Sequence, residues 1–262
     1  MQRASKRLLV SSLLLVAACG PGADKPAASA DSAAPATPAA DSAAAPAGPQ
    51  AIVTVIYQTP KDTAAFETYY REKHIPLVSA GQQEIGYTKA ELTRFTSSLD
   101  GKKPALYRQA ELYFPSLDAA KTGMQTEAFK KVAADLDNFE TKGRIGLLAV
   151  ETGDRGSAPC PVLVTVLYNT PKDTTAFETY YPKHLETVGA GRQEIGFTRA
   201  DLTKFVSNLD GSAPARYRQA ELCFNSMDDL EKGTATPAFK KVGDDFANFV
   251  SNGLTGLVGE QQ

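Results

Sequence analysis

Histidine occurs twice in the 262 residues, as His74 and His184. The setting is the same each time: Tyr69-Tyr70-Arg71-Glu72-Lys73-His74, then Tyr180-Tyr181-Pro182-Lys183-His184. An imidazole titrates near neutral pH and serves as general acid, general base or ligand. Tyr70 and His74 stand four residues apart, so a helix carries them on one face. A helix-end histidine that only packs and hydrogen-bonds locally is the competing reading.

A second polar set lies further along. Tyr107, Gln109, Glu111 and Tyr113 alternate with Arg108, Ala110, Leu112 and Phe114, and the pattern returns as Tyr217, Gln219, Glu221 and Cys223. On a strand, the apolar set meets the helices and Gln109 and Glu111 turn toward the interior. A carboxylate facing a semi-buried cavity can have a raised pKa and exchange protons. A solvated or salt-bridged glutamate is the simpler alternative.

These residues belong to one unit written twice. Val53–Tyr70 and Val164–Tyr181 differ at three of eighteen positions, at an offset of 111 that falls to 110 by the histidines. QEIG, YRQAEL and AFKKV recur as well. We read a tandem duplication of a unit of domain size. Ile52–Tyr57 is a strand, and Asp62 caps a helix over Thr63–His74 that Pro76 stops. Ile85–Leu92 and Leu106–Phe114 are strands, Ser116 opens a helical region to about Phe139 broken near Gly123–Thr126, and Arg144–Glu151 is the last strand. In the second copy Pro237 marks a helix start.

The order βαββαβ is the ferredoxin-like arrangement. Its open sheet face is closed most economically by the other copy, giving an α+β fold: an intrachain dimeric α/β barrel, monomeric overall. Strands one and three are read as parallel neighbours. That places His74 near the start of strand three, beside Tyr107 and Gln109, with Glu111 about 13 Å beyond Tyr107. The same reading puts Cys160 and Cys223 roughly 20 Å apart, as two free thiols.

The pieces Val55–Tyr57, Thr59–Asp62, Phe66–Tyr70, His74–Leu77, Ala110–Phe114 and Asp135–Phe139 together resemble the EthD family, and the likeness runs through both repeats. The resemblance implies membership of the dimeric α/β-barrel superfamily, with its isomerases, cyclases, small monooxygenases and some haem enzymes. It strengthens the functional reading of His74. Tyr70, Tyr107, Gln109 and Glu111 join it as candidates from their helix and strand positions, with counterparts His184, Tyr181, Tyr217, Gln219 and Glu221. The step of about 13 Å favours a tyrosine or amide over Glu111 as the partner of His74. The second copy departs from the pattern: one residue is missing before His184, and Pro182 falls where the helix should continue. Proline there should end the helix early, which points to copy one as the working half.

The N-terminus concerns location. Arg3, Lys6 and Arg7 precede the apolar run Leu8–Ala18, too short to span a bilayer. Val16-Ala17-Ala18-Cys19-Gly20 resembles a bacterial lipobox, which implies cleavage before Cys19 and its lipidation. The expected organisation is a signal peptide over 1–18, an Ala/Pro-rich disordered tether over 19–50, and repeats over 51–155 and 156–262. The expected location is the bacterial envelope, on a lipid anchor.

The remaining classes lack a signal. Four cations and three acids precede residue 51, which leaves 24 Lys plus Arg against 27 Asp plus Glu in the repeats, so nucleic acid is not a partner. CxxC, HExxH, P-loop and GxGxxG motifs are absent. No metal site or cofactor is evident, haem entering only through the superfamily. The expected partner is a small apolar or aromatic molecule in the barrel, handled by redox, isomerase-like or proton-transfer chemistry. A non-catalytic binding protein or an interaction scaffold is the alternative.

Overall fold

The computed structural model describes residues 49–140, 142–153 and 155–262. The leader, Cys19 and the tether up to residue 48 lie outside the described residues. Among the described residues no helix is long and apolar enough to cross a membrane.

Repeat one runs β1 (Ala51–Gln58), α1 (Thr63–Tyr69), α2 (Ile75–Ala80), α3 (Gln82–Ile85), β2 (Lys89–Ser98), β3 (Leu106–Phe114), α4 (Leu117–Gly123), α5 (Glu127–Asp135) and β4 (Arg144–Glu151). Repeat two runs β5 (Val162–Tyr168), α6 (Thr174–Ile195), β6 (Arg199–Asn208), β7 (Arg218–Phe224), α7 (Met227–Thr234), α8 (Pro237–Asp245) and β8 (Leu254–Gln261). Helix starts are set by side-chain caps. Asp62 and Asp173 accept from the amides of Ala65 and Ala176, and Thr126 and Thr236 cap α5 and α8 in the same way. Each such cap contributes about 1 kcal/mol.

The eight strands close in the order β1-β3-β2-β8-β5-β7-β6-β4, and β4 returns to β1. Every pairing is antiparallel. The seams between repeats are β2–β8 and β4–β6, each with a register shift. Closure pairs the strand edges that each repeat would otherwise leave bare. In an eight-membered ring β1 stands opposite β5, and β3 opposite β7.

Antiparallel pairing overturns the expectation that strands one and three run parallel. The split βαβ unit threads a third strand backward between two parallel ones, so β1 and β3 must oppose. The cysteine expectation falls with it. The start of β5 now meets the end of β7, where Leu163 pairs with Cys223. Cys160 and Cys223 form a disulfide with their Cα atoms 4.8 Å apart.

Two helix expectations also fail, for one reason. Pro76 does not stop the first helix: Tyr70–His74 forms a π-helical turn and α2 follows directly, with Pro76 in its first turn. Ile75 donates to the Tyr70 carbonyl, five residues back, so the wider turn absorbs one extra residue. Proline is tolerated in a first helical turn. Repeat two lacks that residue, and α6 runs unbroken for 22 residues with Pro182 inside. The missing residue is the π-turn residue, and its loss leaves the two histidines in equivalent places. Ile85 ends α3 and does not open a strand; β2 begins at Lys89.

The disulfide spans a sequence separation of 63 residues. By loop entropy, replacing both cysteines with alanine should lower stability by about 4 kcal/mol. Urea denaturation of the native and the doubly substituted protein measures this, and reductant should move only the native curve.

Candidate functional site

The sheet has two faces, and they separate the residues expected to act together. Inside the barrel, Gln109 Nε2 donates to Glu221 Oε1 and Gln219 Nε2 to Glu111 Oε1, both at 3.1 Å. Thr165 Oγ1 adds 3.1 Å to Glu221 Oε1, and the Tyr113 hydroxyl lies 3.2 Å from Glu111 Oε2. Burial pushes the Glu111 carboxyl up to about 7, against the lowering effect of Arg155, and drives Glu221 well above the usual range. Arg155, from the segment between the repeats, ion-pairs with Glu91 and lies 3.2 Å from Asp201. Beside the apolar cluster of Ile52, Ile56, Phe95, Leu147 and Leu167, these groups form a cross-braced polar layer joining the repeats. The expectation that Gln109 and Glu111 face inward holds.

His74 lies on the other face, between helices and sheet. It is therefore not beside Gln109, and the expected tyrosine or amide partner is replaced by a carboxylate. His74 Nδ1 sits 2.9 Å from Asp135 Oδ2, at the C-terminal end of α5. The other oxygen of Asp135 accepts from the Tyr69 hydroxyl at 2.8 Å and from Asn138 Nδ2 at 3.0 Å. Phe139 packs on the imidazole, ring centres 4.9 Å apart. Tyr107 is elsewhere again, edge-on to Phe66 near the start of α1.

Repeat two builds the same group. His184 Nδ1 lies 2.7 Å from Asp245 Oδ2, with Tyr180 and Asn248 each 2.9 Å from Asp245 Oδ1. Pro182 does not end the helix, contrary to the expectation from its sequence, and the histidine–carboxylate geometry is the same in both repeats.

The electrostatics of the clamp follow from burial. Burial would raise the Asp135 carboxyl, but the bonds from His74, Asn138 and Tyr69 outweigh it and hold the group below its ordinary value. Burial pushes the His74 imidazole below 6.5, only partly offset by Asp135; His184 behaves alike beside Asp245. At neutral pH the ring is uncharged. In the neutral tautomer that suits an ionised carboxylate, Nδ1–H donates to Asp135 and the lone pair is on Nε2.

Each histidine borders an apolar cavity. His74 and Tyr70 line one of about 120 Å³, walled by Val53, Val55, Leu112 and Val132. His184 and Tyr181 line the other, of about 300 Å³. The cavities thus lie outside the barrel, between sheet and helices, where the sequence reading had placed the ligand inside it. Arg108 stacks over Tyr70 at 4.8 Å and Arg218 over Tyr181 at 4.7 Å, each guanidinium forked onto a glutamate, Glu67 or Glu178. Burial pushes both phenols up to about 12 despite those cations, so they are proton-holding donors. Among the described residues no group of three or more His, Cys, Asp or Glu is placed to hold a metal ion. Both cavities sit at or below the small end of the ligand-pocket range, too small for a porphyrin.

Asp135, Asp245, Tyr69 and Tyr180 were not singled out from sequence as partners of the histidines. The signal was present: Asp-x-x-Asn-Phe recurs intact at 135–139 and 245–249.

A closed antiparallel barrel with helices outside, and a cavity under each helical layer, defines a dimeric α/β-barrel protein. An anthrone oxidase-like protein shares this fold, with 14% identity, coverage of 83% of this chain and 93% of that one, and a TM-score of 0.55. The EthD domain profile matches residues 58–143. An uncharacterized 11.0 kDa protein from the thcB–thcC intergenic region of Rhodococcus erythropolis is 38% identical over 91 residues, 35% of this chain and 84% of that protein. An EthD family protein from Bacillus halodurans is 23% identical, covering 41% of this chain and 99% of its own, with a TM-score of 0.35. The chain belongs to the EthD domain family.

The depressed histidines carry a testable sign. A folded pKa below 6.5 means their contribution to stability is complete above 6.5 and is lost as pH falls through the folded value. NMR titration should find both imidazoles below 6.5. Asp135→Asn, which removes the charge that raises His74, should move that imidazole lower still while His184 stays in place.

Proposed function

We propose that this protein is an envelope-anchored enzyme that transfers protons on small aromatic or apolar molecules carrying one oxygen function. The observation that carries this reading is the free Nε2 of a neutral, carboxylate-held histidine at the wall of an apolar cavity, built twice. The ligand's rings fill the cavity. Nε2 takes a proton from its hydroxyl, or from a carbon beside its carbonyl, and the electron pair of the broken bond stays on the ligand. The new imidazolium is held by Asp135 or Asp245. The hydroxyl of Tyr70 or Tyr181 donates a hydrogen bond to the developing oxyanion. Return of the proton to another atom completes an isomerisation. An oxidative outcome would need dioxygen to accept electrons from the same anion, and oxygen uptake would reveal it.

The roles divide along the clamp. Asp135 positions the imidazole and favours its Nε2-basic tautomer, as a carboxylate does behind a catalytic histidine. Tyr69 and Asn138 position Asp135. Nothing in this chemistry reaches the glutamates inside the barrel, whose role is to hold the two repeats together.

The experiment screens aromatic hydroxyl and carbonyl compounds by thermal shift, then follows deuterium uptake from solvent into each bound compound by NMR. The His74→Ala/His184→Ala double variant should lose exchange by about 100-fold or more while still binding. Equal exchange in the double variant would refute proton transfer by histidine. Binding without exchange in the unaltered protein would establish the alternative, a capture protein.

The envelope location rests on the lipobox-like Cys19. Metabolic labelling with a palmitate analogue should mark the native protein in the membrane fraction. Cys19→Ser should abolish both the label and the membrane association; an unlabelled, released native protein would remove this part of the reading.

A further inference from the structure

The two cavities share most of their walls, yet one is more than twice the size of the other. Val53, Val55, Tyr57, Tyr70 and His74 recur as Val164, Val166, Tyr168, Tyr181 and His184. Three positions lose atoms in repeat two: Ser79 becomes Gly189, Ala133 becomes Gly243 and Tyr87 becomes Phe197. Two gain, Leu136 becoming Phe246 and Gln82 becoming Arg192. Gly189 on α6 and Gly243 on α8 are exposed and line the cavity. A Cβ at either would meet no atom within 4 Å. They frame an open mouth between two packed helices. In repeat one the mouth carries Ser79 and Ala133, and the Tyr87 hydroxyl donates to the Val78 carbonyl at 3.2 Å, tying the α3–β2 connection to α2.

The Tyr181 phenol beside the wider cavity is buried and unpaired. Tyr70 packs edge-on to Tyr57, ring centres 5.7 Å apart. Tyr181 is 3% exposed and its hydroxyl has no hydrogen-bond partner, which is costly for a buried polar atom. It lines the cavity beside His184, ring centres 6.2 Å apart. The far wall comes from the other repeat: Leu99, in the β2–β3 loop, lies over Gly256 of β8, where a Cβ would collide with it. Leu209 closes the repeat-one cavity over Gly146 in the same way.

We propose that the repeat-two cavity is a distinct, wider site for an uncharged two-ring aromatic bearing one hydroxyl, admitted between α6 and α8. The ligand hydroxyl donates to His184 Nε2, and its rings lie along the Tyr181 ring and the apolar wall. An apolar cavity of about 150 Å³ accepts one benzene ring; on that scale about 300 Å³ holds two rings, whereas about 120 Å³ is filled by one at most. The ligand is uncharged because, away from these two groups, the wall is apolar and a bare charge would be unpaired. Arg192 at the wall is already held on Phe197 and the Thr198 carbonyl. This assignment rests on the reading that the cavities bind small aromatics. The repeat-one site then takes single-ring compounds.

The test uses 2-naphthol and phenol as probes of the full chain, with calorimetry for stoichiometry. One 2-naphthol should bind per chain. Gly189→Ser/Gly243→Ala, which gives repeat two the mouth of repeat one, should weaken 2-naphthol by about tenfold or more and leave phenol at repeat one unchanged. Both substitutions raise helix propensity, so loss of binding is not loss of fold. The reciprocal Ser79→Gly/Ala133→Gly variant should gain a second 2-naphthol. Two equivalent 2-naphthol sites in the unaltered protein, or unaltered binding in the Gly189/Gly243 variant, would overturn the proposal. Phenol binding at both cavities without 2-naphthol would overturn it while leaving the general reading intact. The expected 2-naphthol pattern without any deuterium exchange would uphold it while removing proton transfer.

Discussion

A four-stranded sheet covered by helices on one face has one bare face and two bare edges, and neither can be left in water without loss. Closing two such sheets on each other removes both problems in a single step, because β2 finds β8 and β4 finds β6. Everything else depends on that closure. It puts β3 opposite β7, so that Gln109 reaches Glu221 and Gln219 reaches Glu111 across the interior. It also carries the β2–β3 and β6–β7 loops onto the neighbouring repeat, where Leu99 and Leu209 complete the cavities. A repeat separated from its partner would expose those carboxylates and lose one wall of its cavity.

The sequence made some of this legible through period. The alternation along Leu106–Phe114 assigned Gln109 and Glu111 to the interior, because a strand side chain has only two directions to take. The near-identity of Val53–Tyr70 and Val164–Tyr181 established two equal units, and the resemblance to the EthD family supplied a barrel. What period cannot carry is strand direction. Reading strands one and three as parallel misplaced His74 at the wrong end of β3 and separated two cysteines that are in fact bonded. Local punctuation failed for a related reason. Pro76 and Pro182 are strong helix breakers in isolation, but here a helix packed along its length on the sheet continues past each. The extra residue of repeat one is carried by a π turn, which no composition rule announces. Asp135 went unassigned because its link to His74 spans 61 residues and joins two helices by packing alone.

The site itself is economical in polar atoms. Each carboxylate spends its lone pairs on histidine, tyrosine and asparagine, and each histidine spends one nitrogen on that carboxylate. One nitrogen is left for the cavity. The aromatic rings of Tyr70 and Phe139, or Tyr181 and Phe249, pack around the imidazole and exclude water from it. Burial and the carboxylate oppose each other in setting the imidazole's charge, and burial prevails.

The linker between repeats has a wider consequence. Arg155 can enter the barrel from one side only, and it meets Tyr113 on β3, whose counterpart on β7 is Cys223, bonded to Cys160 in that same linker. Two identical chains related by a twofold axis could not supply one arginine and one disulfide to a shared centre. Any substitution in a homodimer is written into both halves at once. Joining the halves in a single chain lifts that constraint: one copy can be altered while the other holds the frame, and the interior already records two halves that no longer match.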